Sequence, residues 1–133
     1  MGSVLVTYCA REKRQDAGLL PAWERYLSER VRSVFERAER AGVRCFILSG
    51  QYGLIGAEHL IPWYDCLLRP GDVDGGVVRV AQQLRDHQVE SLVYHTVNPD
   101  VEEEVRPYRD LLERASVEAG VPIEFVEWTG VRD

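Results

Sequence analysis

Four short apolar runs divide the chain: Val4 to Cys9, Val43 to Leu48, Ser91 to Thr96 and Ile123 to Trp128. Each is long enough for a strand and too short for a helix. Between them lie longer stretches in which apolar residues return every three or four positions. Strands alternating with amphipathic helices predict an α/β fold. The expected form is a Rossmann-like three-layer sandwich, with a mostly parallel sheet of about four strands and helices on both faces. The second run is apolar throughout except at Arg44, as a strand covered on both sides should be.

The helices follow from the same periodicity. Pro21 opens the first, where a proline costs little, and Leu20, Trp23, Leu27, Val31, Val34, Phe35 and Ala38 form one apolar face. Gly42 ends it. Val73 to Asp86 is the second helix, with Val77, Val80, Ala81 and Leu84 on one face and Gly75-Gly76 weakening its start. Asn98-Pro99-Asp100 should start the third, Asp100 and Glu103 having the spacing of a weak capping box. Its stripe is Val101, Val105, Tyr108, Leu112, Ala115 and Ala119, closed by Gly120 and Pro122. No repeat or low-complexity linker interrupts the pattern, so residues 1–133 read as a single α/β domain.

Composition narrows the classes of function. The formal net charge of −6 argues against a basic surface that coats nucleic acid, although a local contact with nucleic acid stays open. No apolar run approaches the roughly 20 residues that span a membrane. The N-terminus lacks the regions of a signal peptide, and Met1-Gly2 is followed by Val6 where a myristoylation signal has Ser or Thr. A cytoplasmic protein is expected. Cys9, Cys45 and Cys66 show neither zinc-ligand nor disulfide spacing, so no metal or cofactor is expected. Cys45 reads as a core residue; Cys9, ending the first strand, is open to a buried or a functional role.

In a parallel sheet, ligands sit beyond the carboxyl ends of the strands. That rule selects the loops after Cys9, Leu48 and Thr96. The loop after Leu48 is rich in aromatic and polar residues, the content of binding loops as well as of loops that merely pack down. Familiar phosphate-binding, dinucleotide-binding, serine-hydrolase and zinc-protease motifs are absent from the sequence. Ser49-Gly50 and Tyr52-Gly53 permit close approach of backbone to a ligand. Asp65, among aromatics, could act as a general base or stabilise a developing cation, or simply cap a turn. Tyr52 could stack on a base or satisfy a local partner. His59 reads as solvated, and His95 at the end of the third strand as facing the active edge or packed in the core. Arg11, Lys13 and Arg14 could meet a phosphate or be a solvated charge run; Lys13 is the only lysine.

Phe46-Ile47-Leu48-Ser49-Gly50-Gln51-Tyr52-Gly53-Leu54-Ile55, followed by Ile61-Pro62-Trp63-Tyr64-Asp65, resembles the "ILSakYGL…i.pYD" signature of a family of small bacterial and phage domains of unassigned function. Those domains are similar in turn to the peroxide-stress YaaA proteins and to a domain of archaeosine synthase, a relative of tRNA-guanine transglycosylases. The matching positions are Ser49, Tyr52, Gly53, Tyr64 and Asp65. A first strand closing in Cys9, the Arg25-Tyr26-Leu27-Ser28 element and the Tyr108-Arg109-Asp110-Leu111-Leu112 helix extend the likeness over most of the chain. The family's small-Lys pair is here Gly50-Gln51, so a lysine role at that point is absent.

The resemblance implies a nucleobase, nucleoside or nucleotide as ligand. The expected activity is cleavage or transfer at an N-glycosidic bond, with Asp65 as the carboxylate and Tyr64 beside it. Cys9, Arg11, Lys13, Ser49, Gly50, Tyr52, Gly53, Trp63 and His95 would then bind and position the ligand. The alternative is a non-catalytic module that binds a nucleotide or attaches to a nucleic-acid-processing partner.

Overall fold

The structure, a computed structural model, describes residues 3–130; Met1 and Gly2, on which the reading against myristoylation rests, lie outside them. In chain order the elements are β1 (Val4–Tyr8), β2 (Leu20–Pro21), α1 (Ala22–Arg25), α2 (Glu29–Ala41), β3 (Cys45–Ser49), β4 (Gly53–Gly56), β5 (Leu60–Ile61), α3 (Val73–Asp86), β6 (Leu92–Thr96), α4 (Arg106–Ala119) and β7 (Ile123–Glu127). The main sheet runs β4-β3-β1-β6-β7, with β4 antiparallel to β3 and the other pairs parallel. β2 and β5 make a separate antiparallel ribbon. The fold is mixed α/β with a mostly parallel sheet. β1 lies between β3 and β6, so the chain leaves it toward one side and later returns on the other. Such a switch opens a crevice at the carboxyl end of the central strand. Cys9 stands there.

The sheet has five strands, not about four. The extra strand is β4, which lies within the loop expected after Leu48. Gly53 takes φ +72°, a conformation that favours glycine, and turns the chain back so that Leu54 and Ile55 pair with Leu48 and Ile47. The Gln83 side chain then covers the far edge of β4: its Oε1 accepts from Leu54 N at 2.8 Å, and its Nε2 donates to the Tyr52 carbonyl at 3.1 Å. An edge treated this way offers fewer free backbone groups to another chain.

Two helix starts also differ from the periodicity. The helix opened by Pro21 breaks after one turn, because Tyr26 is extended and the Ser28 hydroxyl caps a new helix by accepting from Val31 N at 3.1 Å. Leu20 consequently belongs to β2, and Leu27 is exposed. The last helix begins at Arg106, not at Asn98: the Asn98 side chain accepts from Asp100 N at 2.9 Å and closes a local turn instead. Val101 is exposed, while Val105, Tyr108, Leu112 and Ala115 are buried as the stripe requires. Val73–Asp86 is helical at the predicted bounds. Gly76 within it lets Leu111 of α4 come close, since a Cβ there would lie 3.1 Å from Leu111 Cδ1.

Candidate functional site

The three selected loops meet at one cleft of about 1450 Å³. Ala10 to Glu12 follow β1, Asp65 to Pro70 follow the β3–β4 hairpin and the β5 strand, and Glu102 to Val105 follow β6; all line it. Its interior includes the buried Tyr8, Cys9, Leu68 and Tyr108, and its mouth includes the exposed Arg11 and Asp65. Cys9 Sγ donates to Tyr108 Oη at 3.4 Å, and the same oxygen accepts from Leu68 N at 2.9 Å. One phenol on α4 thus ties the end of β1 to the segment that follows Asp65. The rings of Tyr8 and Tyr108 lie 5.7 Å apart.

Behind this cleft lies a second, buried cluster. Ser49 Oγ accepts from Gln51 N and Tyr52 N, both at 3.1 Å, which leaves its proton for Tyr64 Oη at 2.9 Å. Tyr64 Oη is in turn 2.5 Å from Tyr26 Oη. Burial pushes the Tyr26, Tyr64 and Tyr108 phenols well above the ordinary tyrosine range, and the neighbouring Cys9 acts in the same direction. All three therefore stay protonated at neutral pH as neutral hydroxyls. The Lys13 ammonium, 7% exposed, sits 4.6 Å from the Tyr64 ring centre and 5.9 Å from that of Tyr26, and donates to the Arg11 carbonyl at 3.1 Å. Tyrosine faces can carry a desolvated cation in this manner.

Cys9, Arg11 and Asp65 thus come together at the cleft, while Lys13, Ser49 and Tyr64 form the cluster behind it. Tyr52 is half-buried with its ring 5.2 Å from that of Tyr64. Trp63 is about half exposed, and neither it nor Tyr52 lines the cleft. At Gly50 and Gly53 the close approach is made by the protein itself: backbone of residues 66–68 at Gly50 and the Gln83 side chain at Gly53. His59 is exposed. His95 is buried on β6, away from the cleft lining, with Nδ1 unpartnered. Burial first, and then Arg37, lower its pKa.

A lowered histidine pKa means the folded state holds the neutral imidazole. Stability from this group is full above the free value of about 6.5 and is lost as pH falls below it, because the unfolded chain takes up the proton more readily. Thermal midpoints measured from pH 7.5 to 5.0 should fall more steeply for the native chain than for His95→Leu. Parallel slopes would remove His95 as the cause.

Sequence reasoning did not single out Tyr26, Tyr108, Arg25 or Arg30 as site residues. Arg30 is buried, donates to Thr7 Oγ1 and the Tyr8 carbonyl at 2.6 Å and to the Cys9 carbonyl at 3.1 Å, and lies 3.5 Å over the Tyr8 ring. Its signal was present: Arg30, Val34 and Ala38 are spaced by four, so an arginine occupies the apolar stripe. Among the described residues no group of three His, Cys, Asp or Glu side chains is placed to hold a metal ion. Comparison with protein-family models, with curated proteins and with solved structures finds no match to the chain, so the resemblance rests on its own residues.

Proposed function

We propose that the chain binds a nucleobase-bearing small molecule in the cleft and cleaves or transfers at its N-glycosidic bond, with Asp65 as the acting carboxylate. The observation that carries this reading is the exposed Asp65 at the mouth of a cleft formed by all three carboxyl-edge loops. Breaking an N-glycosidic bond builds positive charge on the sugar, which a nearby carboxylate stabilises or attacks. Tyr64 is a positioning residue: its buried, hydrogen-bonded phenol fixes the backbone so that the next residue, Asp65, faces solvent. The buried Tyr8 and Tyr108 form part of the cleft floor, and exposed aromatic surface for a base lies beside it at the half-buried Tyr52 and the half-exposed Trp63. A three-layer arrangement and a cytoplasmic setting belong to the same proposal. Among the described residues no helix is long and apolar enough to cross a membrane.

The test is base release from a panel of nucleosides and nucleotides, followed by chromatography, for the native chain and Asp65→Asn. Loss of a carboxylate acting in the transition state should lower the rate by about 10²-fold or more, with an unchanged thermal midpoint. Equal rates would remove Asp65 from the mechanism. The second reading, a non-catalytic binding module, is favoured by one feature: the Ser49, Tyr64 and Tyr26 hydroxyls bond to one another rather than pointing into the cleft. Ligand bound without release of base would select it.

A further inference from the structure

We infer that the cleft selects a ligand without phosphate, a neutral or cationic nucleoside rather than a nucleotide; this rests on the base-bearing ligand proposed above. The residues lining the cleft include nine Asp or Glu against four Arg. Three of those arginines already face carboxylates. Arg106 bonds Glu103 at 3.1 Å and Asp100 at 3.2 Å, Arg114 bonds Asp74 at 2.6 Å, and Arg11 is 3.7 Å from Glu104. The lone lysine does not line the cleft; it is seated on the faces of Tyr64 and Tyr26. The guanidinium of Arg30 is likewise engaged, with Thr7, Tyr8 and Cys9.

A phosphate monoester entering this space carries its negative charge toward an excess of carboxylates, and of the four lining arginines only Arg69 has no carboxylate within ion-pair distance among the described residues. Its association is opposed at long range, and a like charge brought close costs further. A nucleoside meets no such penalty. Its flat, weakly polar base suits an interior of Tyr8, Cys9, Leu68 and Tyr108. A base that is protonated or alkylated, or a sugar gaining positive charge as its bond breaks, is favoured by the same field. The acidic rim and the carboxylate chemistry therefore point in one direction.

The experiment is equilibrium dialysis of the full chain against the four ribonucleosides and their 5′-monophosphates, at low and high salt. Asp110→Asn with Glu113→Gln serves as the charge variant, since both residues line the cleft and stand on α4. At least one nucleoside should bind on the order of tenfold more tightly than its monophosphate, and the ratio should narrow in 0.5 M salt and in the double variant. A monophosphate that binds more tightly overturns the selection while leaving a base-bearing ligand standing. A preference for nucleoside that ignores both salt and the variant overturns the electrostatic cause. Absence of binding by all eight compounds overturns the ligand reading itself, and this inference with it.

Discussion

Arg25→Ala is expected to lower the thermal midpoint by on the order of 10–20 °C, the largest loss from any single truncation near the site. Arg25 is fully buried, and each of its N–H groups is used. Nη1 donates to the Arg14 carbonyl at 2.7 Å and to that of Asp16 at 3.0 Å. Nη2 donates to Gly18 at 2.7 Å and Ile61 at 3.2 Å, and Nε reaches Ile61 at 3.4 Å. Truncation leaves four carbonyls without these donors and removes a fully buried side chain, although Arg14, Asp16 and Gly18 themselves lie in an exposed loop. Bonds to a charged donor are worth about 1.5–3 kcal/mol each, but their losses are not additive, so a total of about 3–5 kcal/mol is expected. The tie also bears on the proposed site, because it joins the loop carrying Arg11 and Lys13 to the segment that leads from Ile61 to Asp65. Arg25→Lys should recover less than half of the loss, since three donors on a compact ammonium cannot span the same carbonyls. A loss below about 1 kcal/mol in Arg25→Ala would show that water replaces the guanidinium at little cost.

What the sequence disclosed depended on how local each signal was. The helix over Val73–Asp86 was legible to the residue because its stripe, Val77, Val80, Ala81 and Leu84, is continuous and is all buried. β4 was not, because two residues between two glycines carry no readable alternation, and its pairing with β3 depends on the conformation of Gly53. The break between α1 and α2 turned on a Ser28 cap that competes with an unbroken apolar period. In the site, Cys9 and Asp65 were reachable from the rule that ligands gather at the carboxyl ends of parallel strands. Tyr26 and Tyr108 were not: their partners Tyr64 and Cys9 lie 38 and 99 positions away, and no window of sequence contains both ends. Arg25 was hidden for another reason, and Arg30 showed only as an arginine within the apolar stripe of α2. Arginine is read as a surface residue, whereas here backbone carbonyls at strand and loop ends accept from its whole fork.

Gly50→Ala is the second large effect, and it separates a ligand-facing glycine from a packing one. A Cβ on Gly50 would stand 2.7 Å from Leu68 N, 2.9 Å from the Cys66 carbonyl oxygen and 3.0 Å from Leu67 C. These are backbone atoms, so no side-chain rotation relieves the clash, and either β3 or the 66–68 segment must move. Overpacking of this kind costs about 1–3 kcal/mol or more. The upper end is expected here because Leu68 N also donates to Tyr108 Oη, the phenol that receives the Cys9 thiol proton. Displacing residue 68 breaks that joint and shifts the cleft wall that carries Asp65. Gly50→Ala should therefore lose stability and weaken nucleoside binding together. Gly56→Ala, with nothing within 4 Å of the added carbon, should change stability by about 0.5 kcal/mol or less. If Gly50→Ala keeps the native midpoint but loses binding, the space above Gly50 belongs to the ligand and not to the 66–68 backbone. If it keeps both, the two segments can separate without cost, and the coupling of β3 to the cleft through Tyr108 is wrong.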